Sequence, residues 1–343
     1  MVVSEAERAD RKSTSKGHGR IWPDWYPELT AFRHSTGWKA AWQLLNTLVP
    51  YCILWYLMIR SIQLGYAYAL TLILALPAAA FLVRLFILFH DCVHGSFFKW
   101  KGANTFWGYL LGVAVFTSFE DWRFAHLRHH VTYANLDTRG FGDIWTMTLK
   151  EYEKSPWQKR WQYRLYRNPV VMIGLGALFT FLLGNRLPTR KVKRKERMSV
   201  VFTNLLIVAV VLVADRFIGW RTYLLIQLPV FWLAGAAGVW LFYVQHQFPG
   251  VYWARKAEWK PLRAAMEGSS FYKLPTLLRW FSGNIGYHHV HHLSPRIPNY
   301  HLKKCYAAVP ALKAKAPLTI ANSLACVRLK LWDEDRKRMV AFP

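Results

Sequence analysis

Acidic residues are scarce in this chain: 19 Asp and Glu stand against 45 Lys and Arg among 343 residues, a formal charge of +26. Cysteine is scarcer still. Cys52, Cys92, Cys305 and Cys326 form no CxxC and no even ladder, so there is no basis for a disulfide framework, and the pattern fits reduced thiols in or facing the cytoplasm. Cys92 is expected to serve helix packing. No RNA- or DNA-binding signature is present and the basic blocks flank apolar runs, which argues against nucleic acid as the partner of all this positive charge. The zinc-peptidase pattern HExxH is missing as well, because the nearest string, HDCVH at 90–94, carries Asp91 where that chemistry needs a glutamate base. The first 40 residues are polar and basic, so no cleavable signal peptide is expected.

What the chain has in abundance is apolar sequence: 53% hydrophobic and 16% aromatic, gathered into long runs, which marks an integral membrane protein. Four runs suit a bilayer that takes about 20 helical residues to cross. They are Ala41–Met58, Tyr66–Phe89, Val200–Phe217 and Thr222–Val244, and the short connections within each pair predict two helical hairpins. Arg84, near the end of the second run, is expected to snorkel to the interface. Phe106–Phe119 and Pro169–Gly184 are shorter and predicted to be re-entrant or interfacial. The basic segments Arg8–Arg20, Lys150–Arg167 and Arg186–Arg197 belong on the cytoplasmic side by the positive-inside rule. Lys150–Arg167 interleaves Trp157, Trp161, Tyr163 and Tyr166 with its cations, which suits a helix in the headgroup region, although a packed soluble face would read the same way. The division is a basic cytoplasmic tail, 1–40, and a single membrane domain, 41–343.

Eight histidines fall in three clusters: His90 and His94 in HDCVH, His126, His129 and His130 in HLRHH, and His288, His291 and His292 in HHVHH. Spacings of three and four place imidazoles on one helix face about a turn apart, as ligands for a common centre must be. A random HxxHH at a given start has odds of roughly one in 18,000 at this histidine content, so two copies point to a metal site. His246 ends the fourth run and is a candidate ninth ligand. His289 lies between the ligand positions and is left out, while His18, His34 and His301 lack partners in sequence. Imidazole suits zinc, copper, iron and nickel, and eight or nine ligands exceed one ion's needs, so two ions are favoured.

If all three clusters share one centre, they lie on one side of the membrane, and neither short apolar segment crosses. Four spans with both termini cytoplasmic then satisfy charge and site together. A two-metal site at the membrane surface suggests a lipid chain as substrate. Its unactivated C–H bonds offer no acidic proton and no leaving group, which calls for iron and dioxygen rather than side-chain acid–base chemistry. A metal transporter is the non-enzymatic alternative, but its ligands should sit within the spans.

The three clusters resemble the histidine boxes of the membrane fatty acid desaturases. Longer strings, GDIW (142–145), YRLYRNP (163–169), GVWLFYVQH (238–246), EGSSFYKLP (267–275), GNIGYHHVHHLSP (283–295) and LWDED (331–335), are similar to those of bacterial acyl-lipid desaturases, close to the cold-inducible Δ5 type. The resemblance implies an all-α membrane fold with a cytoplasmic helical cap over two non-haem iron ions. It implies a reaction in which dioxygen and two electrons remove two hydrogens from adjacent methylenes of a phospholipid acyl chain, leaving a cis double bond. A hydroxylase or ketolase with the same iron site is the alternative. The implied metal ligands are His90, His94, His126, His129, His130, His246, His288, His291 and His292.

Asp91, Asp137, Asp143, Glu267 and Asn284 are candidates to orient ligand rings through the second nitrogen, Asp91 first. Phe242 stands where some relatives place an asparagine that holds a metal-bound water. The His-Pro-Gly-Gly haem motif is absent, so electrons are expected from a separate carrier such as ferredoxin or flavodoxin, steered by the basic face in a bacterial cell membrane.

Overall fold

The computed structural model of the chain describes residues 22–189 and 192–343; the tail through Arg20, His18 included, and Arg190 within the third basic segment lie outside the described residues. The fold is mostly helical. Among the described residues, four helices are long and apolar enough to span a membrane: α1 (Gly37–Gln63), α2 (Tyr68–His94), α8 (Arg194–Ile218) and α9 (Trp220–His246). Between α2 and α8 lie α3 (Lys101–Ala114), α4 (Phe119–Thr132), α5 (Leu149–Lys154), α6 (Trp157–Tyr166) and a wide-wound helix α7 (Val170–Arg186). After α9 come α10 (Pro261–Gly268), α11 (Thr276–Phe281), α12 (His288–Leu293) and α13 (Asn299–Ala308). Two small β pairs fasten the end of the chain: β1 (Phe271–Tyr272) runs parallel to β2 (Pro317–Leu318), and β3 (Leu331–Asp333) is antiparallel to β4 (Arg338–Val340).

The two hairpins form as the apolar runs imply, but every helix is longer than its run. α2 continues through HDCVH to His94 and closes on Gly95 in the left-handed conformation, φ +67°, which glycine adopts without steric cost. His90 and His94 are therefore carried on the last turns of a rigid span rather than on a loop. Pro50, Pro77 and Pro229 lie inside spans, where neighbouring helices tolerate the lost amide donor. Trp42, Leu45, Val49, Ile53 and Leu57 of α1 and Val201, Leu205, Val208 and Leu212 of α8 face outward, an apolar surface that hydrocarbon, not water, would cover.

α2 is the most enclosed span; Leu82, Leu85, Leu88 and Phe89 pack in the main core with Leu111, Phe119, Ile226 and Phe231. α3, of 14 residues, is shorter than the about 20 helical residues a crossing takes. It lies so close to the following chain that a Cβ on Gly108 would come within 2.2 Å of the Phe119 ring. α6 and α7 meet at 65°, a break at Asn168–Pro169, where proline disfavours helix in the residue before it.

Three sequence expectations are revised. Arg84 does not snorkel. It is buried, its Nε donates to Thr47 Oγ1 at 3.0 Å, an Nη donates to the Trp280 carbonyl, and its guanidinium lies 3.9 Å from the Trp280 ring centroid. Lys150–Arg167 is not one helix: Pro156 starts α6 separately, with Trp157, Trp161 and Leu165 exposed along one side and Tyr163 buried on the other. Residues 22–36, counted with the tail, pack on the domain through buried Leu29, the Arg33 Nε to Ser294 Oγ bond (2.9 Å) and the Tyr26 hydroxyl on the Leu293 carbonyl.

Candidate metal centre

Each histidine cluster sits on a helix whose other face is committed to packing, so its ring directions are fixed by the fold. His90 and His94 end α2, His126, His129 and His130 fill the last two turns of α4, His246 ends α9, and His288, His291 and His292 make up half of the six-residue α12. The four elements are separated by 32 to 201 positions at their meeting rings, yet their Nε2 atoms converge in two sets.

His90, His94, His126, His130 and His291 form the first set, with ligand atoms all within 4.8 Å of one another. Nε2 to Nε2 separations are 3.0 Å for His126–His94, 3.1 Å for His130–His126, 3.1 Å for His291–His130 and 3.1 Å for His90–His291. His129, His246 and His292 form the second, and His288 joins it with Nε2 at 3.0 Å from His246 and 3.2 Å from His292. The sets adjoin where the His130 and His292 rings lie 4.4 Å apart between centroids.

Nitrogens held about 2.1 Å from one ion are about 3.0 Å apart at right angles and about 3.4 Å apart at the tetrahedral angle, which brackets these separations. A neutral imidazole has one N–H and one lone pair. Where Nδ1 carries the proton, Nε2 presents its lone pair to the set, and lone pairs meeting at 3 Å call for a cation between them. Burial, reinforced by the neighbouring imidazoles, pushes the rings of His126, His130, His288, His291 and His292 well below the ordinary imidazole range. They are neutral at pH 7, the form that binds metal.

One carboxylate serves each set. Asp143 Oδ1 lies 2.6 Å from His129 Nδ1 while its Oδ2 accepts the Gly140 N–H at 3.1 Å. Asp91 Oδ1 lies 3.3 Å from His90 Nδ1. Both carboxylates fix the Nδ1–H tautomer and aim Nε2 inward, and Asp143 makes the closer contact although Asp91 ranked first on sequence. The other three candidates do not reach a ligand ring. Asp137 pairs with Arg255, Glu267 pairs with Arg263, and Asn284 bonds the Asn299 carbonyl from a left-handed turn.

Phe242 packs on His129 and His246 at 5.5 and 4.9 Å between centroids, an aromatic wall beside the second set. Tyr133 packs on His246 at 4.3 Å with its hydroxyl on the Gly268 carbonyl. No sequence signal singled it out. His289 turns away: its Nε2 lies 3.2 Å from the Leu312 carbonyl, and burial, with Lys315 second, pushes it down to about 3. His34 and His301 lie tilted against each other, 4.4 Å between ring centroids, and His301 Nδ1 meets the Phe32 carbonyl.

The family model for fatty acid desaturases matches residues 64–321 of the chain. A fatty acid desaturase of Bacillus subtilis is 46% identical over 315 residues, covering 92% of this chain and 89% of the relative. An sn-1 oleoyl-lipid 12-desaturase of Synechocystis is 26% identical over 234 residues, 66% of this chain and 65% of the relative. An sn-1 acyl-lipid omega-3 desaturase (ferredoxin) of the same organism is 26% identical over 236 residues, 66% and 63% of the two chains. The family match takes in all nine converging histidines, and with it the chain belongs to the fatty acid desaturase family: it is a membrane desaturase, an oxidoreductase.

Proposed function

We propose that the protein introduces a cis double bond into acyl chains of membrane lipids at a centre of two ferrous ions, held by the set of five histidines and the set of four. The observation that carries this reading is the convergence of nine Nε2 atoms into two adjoining sets, each with one carboxylate on an outer ring nitrogen. When bound, the iron pair supplies dioxygen activation and hydrogen abstraction from unactivated methylenes, which none of the side chains at the site could perform. The chain's own part is to hold and to exclude. Asp143 keeps the proton on His129 Nδ1, Asp91 does so for His90, and the rings of Tyr133 and Phe242 wall the second set from water. His94, His126, His130 and His292 keep part of their surface exposed, while the other five rings are buried.

Dioxygen is the oxidant in this reading, and two electrons come from a separate carrier of the ferredoxin or flavodoxin kind, in keeping with a relative named for ferredoxin. The centre faces the cytoplasm of a bacterial cell, and neither α3 nor α7 crosses the membrane. In support, His94 and His126, on either side of α3, have Nε2 atoms 3.0 Å apart. Lys195 at the start of α8 pairs with Glu120 at the start of α4 at 2.7 Å, and Thr189 bonds Asp121 through both N–H and hydroxyl. The test is expression in a host lacking such an enzyme, with double bonds located in its phospholipids and iron counted per purified chain. Hydroxylated or keto lipids, or no iron, would refute it.

A further inference from the structure

Successive side chains on a helix point about 100° apart and do not face each other. A carboxylate at position 91 therefore has no intrinsic reason to lie against the ring at position 90. In this fold it does, and the hold comes from another element. Asp91 Oδ2 accepts the backbone N–H of Asn299 at 2.7 Å and the Asn299 side-chain amide at 2.9 Å, which leaves Oδ1 for His90 Nδ1. Asn299 is the first residue of α13 and fully buried, so its N–H is one of the donors a helix leaves unpaired at its start.

The orientation of that amide is fixed in turn. Its Nδ2 also donates to Gln43 Oε1 at 3.0 Å, and its Oδ1 accepts from Gln43 Nε2 at 2.9 Å. Turning the amide over would set oxygen against the Asp91 carboxylate and against Gln43 Oε1, and nitrogen against nitrogen at the remaining contact. Gln43 belongs to α1. One turn further on, Thr47 donates to the Gln43 carbonyl at 2.5 Å and accepts from Arg84 of α2, which pins the two spans beside the amide pair.

We infer that Asn299 is the positioning residue of the first histidine set, with Gln43 as its anchor: the pair holds Asp91 rotated onto His90 and thereby fixes the ring that presents Nε2 to the metal. The inference rests on the proposed two-metal reading. The second set needs no such device, because Asp143 approaches His129 from a loop and is held by the Gly140 amide.

Loss of an orienting partner of a ligand costs about 10- to 100-fold in metal affinity. Asn299→Ala keeps the backbone N–H on Asp91, so the expected loss is at the lower end, about tenfold, and confined to one ion. The test loads ferrous iron anaerobically into the purified full chain and follows iron per chain against graded chelator, alongside thermal melting, in wild type, His90→Ala, Asn299→Ala, Gln43→Leu and Tyr300→Phe. Tyr300 docks the same turn of α13 through Thr36 and Phe97 without touching Asp91. Asn299→Ala should release one ion at about tenfold lower chelator while the other is unmoved, Gln43→Leu should shift the same ion less, and Tyr300→Phe should release iron as wild type does. Wild-type release from Asn299→Ala beside a defective His90→Ala, or an equal shift of both ions, overturns the inference alone. If Asn299→Ala does not fold, Gln43→Leu decides by the same criterion. A wild-type chain that binds fewer than two ions, or a His90→Ala chain that releases both as wild type does, overturns the two-metal reading and this inference with it.

Discussion

Replacing Asp143 by asparagine removes one charge and almost no volume, and the geometry leaves the new side chain no satisfactory orientation. In the native site both oxygens accept, Oδ1 from His129 Nδ1–H at 2.6 Å and Oδ2 from the Gly140 N–H at 3.1 Å. An amide has one acceptor and one donor end. If its oxygen faces His129, its NH2 meets the Gly140 N–H; if its NH2 faces His129, it drives the proton to Nε2 and blocks the lone pair that belongs to the metal. A hydrogen bond to a charged partner contributes about 1.5–3 kcal/mol, which at 1.4 kcal/mol per decade is about 10- to 150-fold in metal affinity, in line with the usual cost of losing such a partner. The expected outcome of Asp143→Asn is a second-set ion released at about 10- to 100-fold lower chelator, with desaturation reduced at least as much and thermal melting little changed. Anaerobic iron titration and lipid product analysis measure the two effects. Iron retention equal to wild type would refute the claim that Asp143 sets the tautomer of His129.

His291→Ala should abolish desaturation and lower iron per chain without blocking membrane insertion; full activity in this variant would remove the third cluster from the centre. His246→Ala should likewise lose most activity, since its Nε2 lies within 3.3 Å of both His129 and His288 Nε2, and wild-type turnover would remove it from the ligand set. Single cysteines at the exposed positions Lys154, between α3 and α7, and Lys193, after α7, in a chain otherwise free of cysteine, should react only from the cytoplasmic side; labelling by an impermeant reagent outside intact cells would put α3 or α7 across the membrane. Burial lowers Lys315 to about 8, with its ammonium 4.6 Å over the Phe248 ring. The unfolded chain then binds more protons than the folded one between about pH 8 and the ordinary lysine value, and folding stability rises with pH across that window. Lys315→Met should raise the melting temperature at pH 7, with the gain shrinking as pH climbs past 8; a pH-independent difference would contradict the assignment.

The sequence by itself determined the four spans and the three histidine boxes, because both signals are local. Apolar run length reports directly on a bilayer crossing, and HxxHH on a helix places its rings on one face whatever lies elsewhere. His246 was legible for the same reason, standing at the end of an apolar run. Features resting on contacts between distant segments were not legible. Arg84 was assigned to the interface from its place near a span end, but Thr47 and Trp280, on two other elements, supply its hydrogen bonds inside. The ranking of Asp91 over Asp143 came from adjacency to a ligand, whereas the shorter contact belongs to the carboxylate that arrives from a separate loop, free of the angle a helix imposes on neighbours. Asn299 and Gln43 lie 256 positions apart, and nothing in either local string announces the other. The division of nine histidines into five and four, with His291 and His292 of one box sent to different sets, also required the tertiary structure: adjacent helical residues diverge by about 100°, and only the packing of α12 against α2, α4 and α9 decides which set each ring meets.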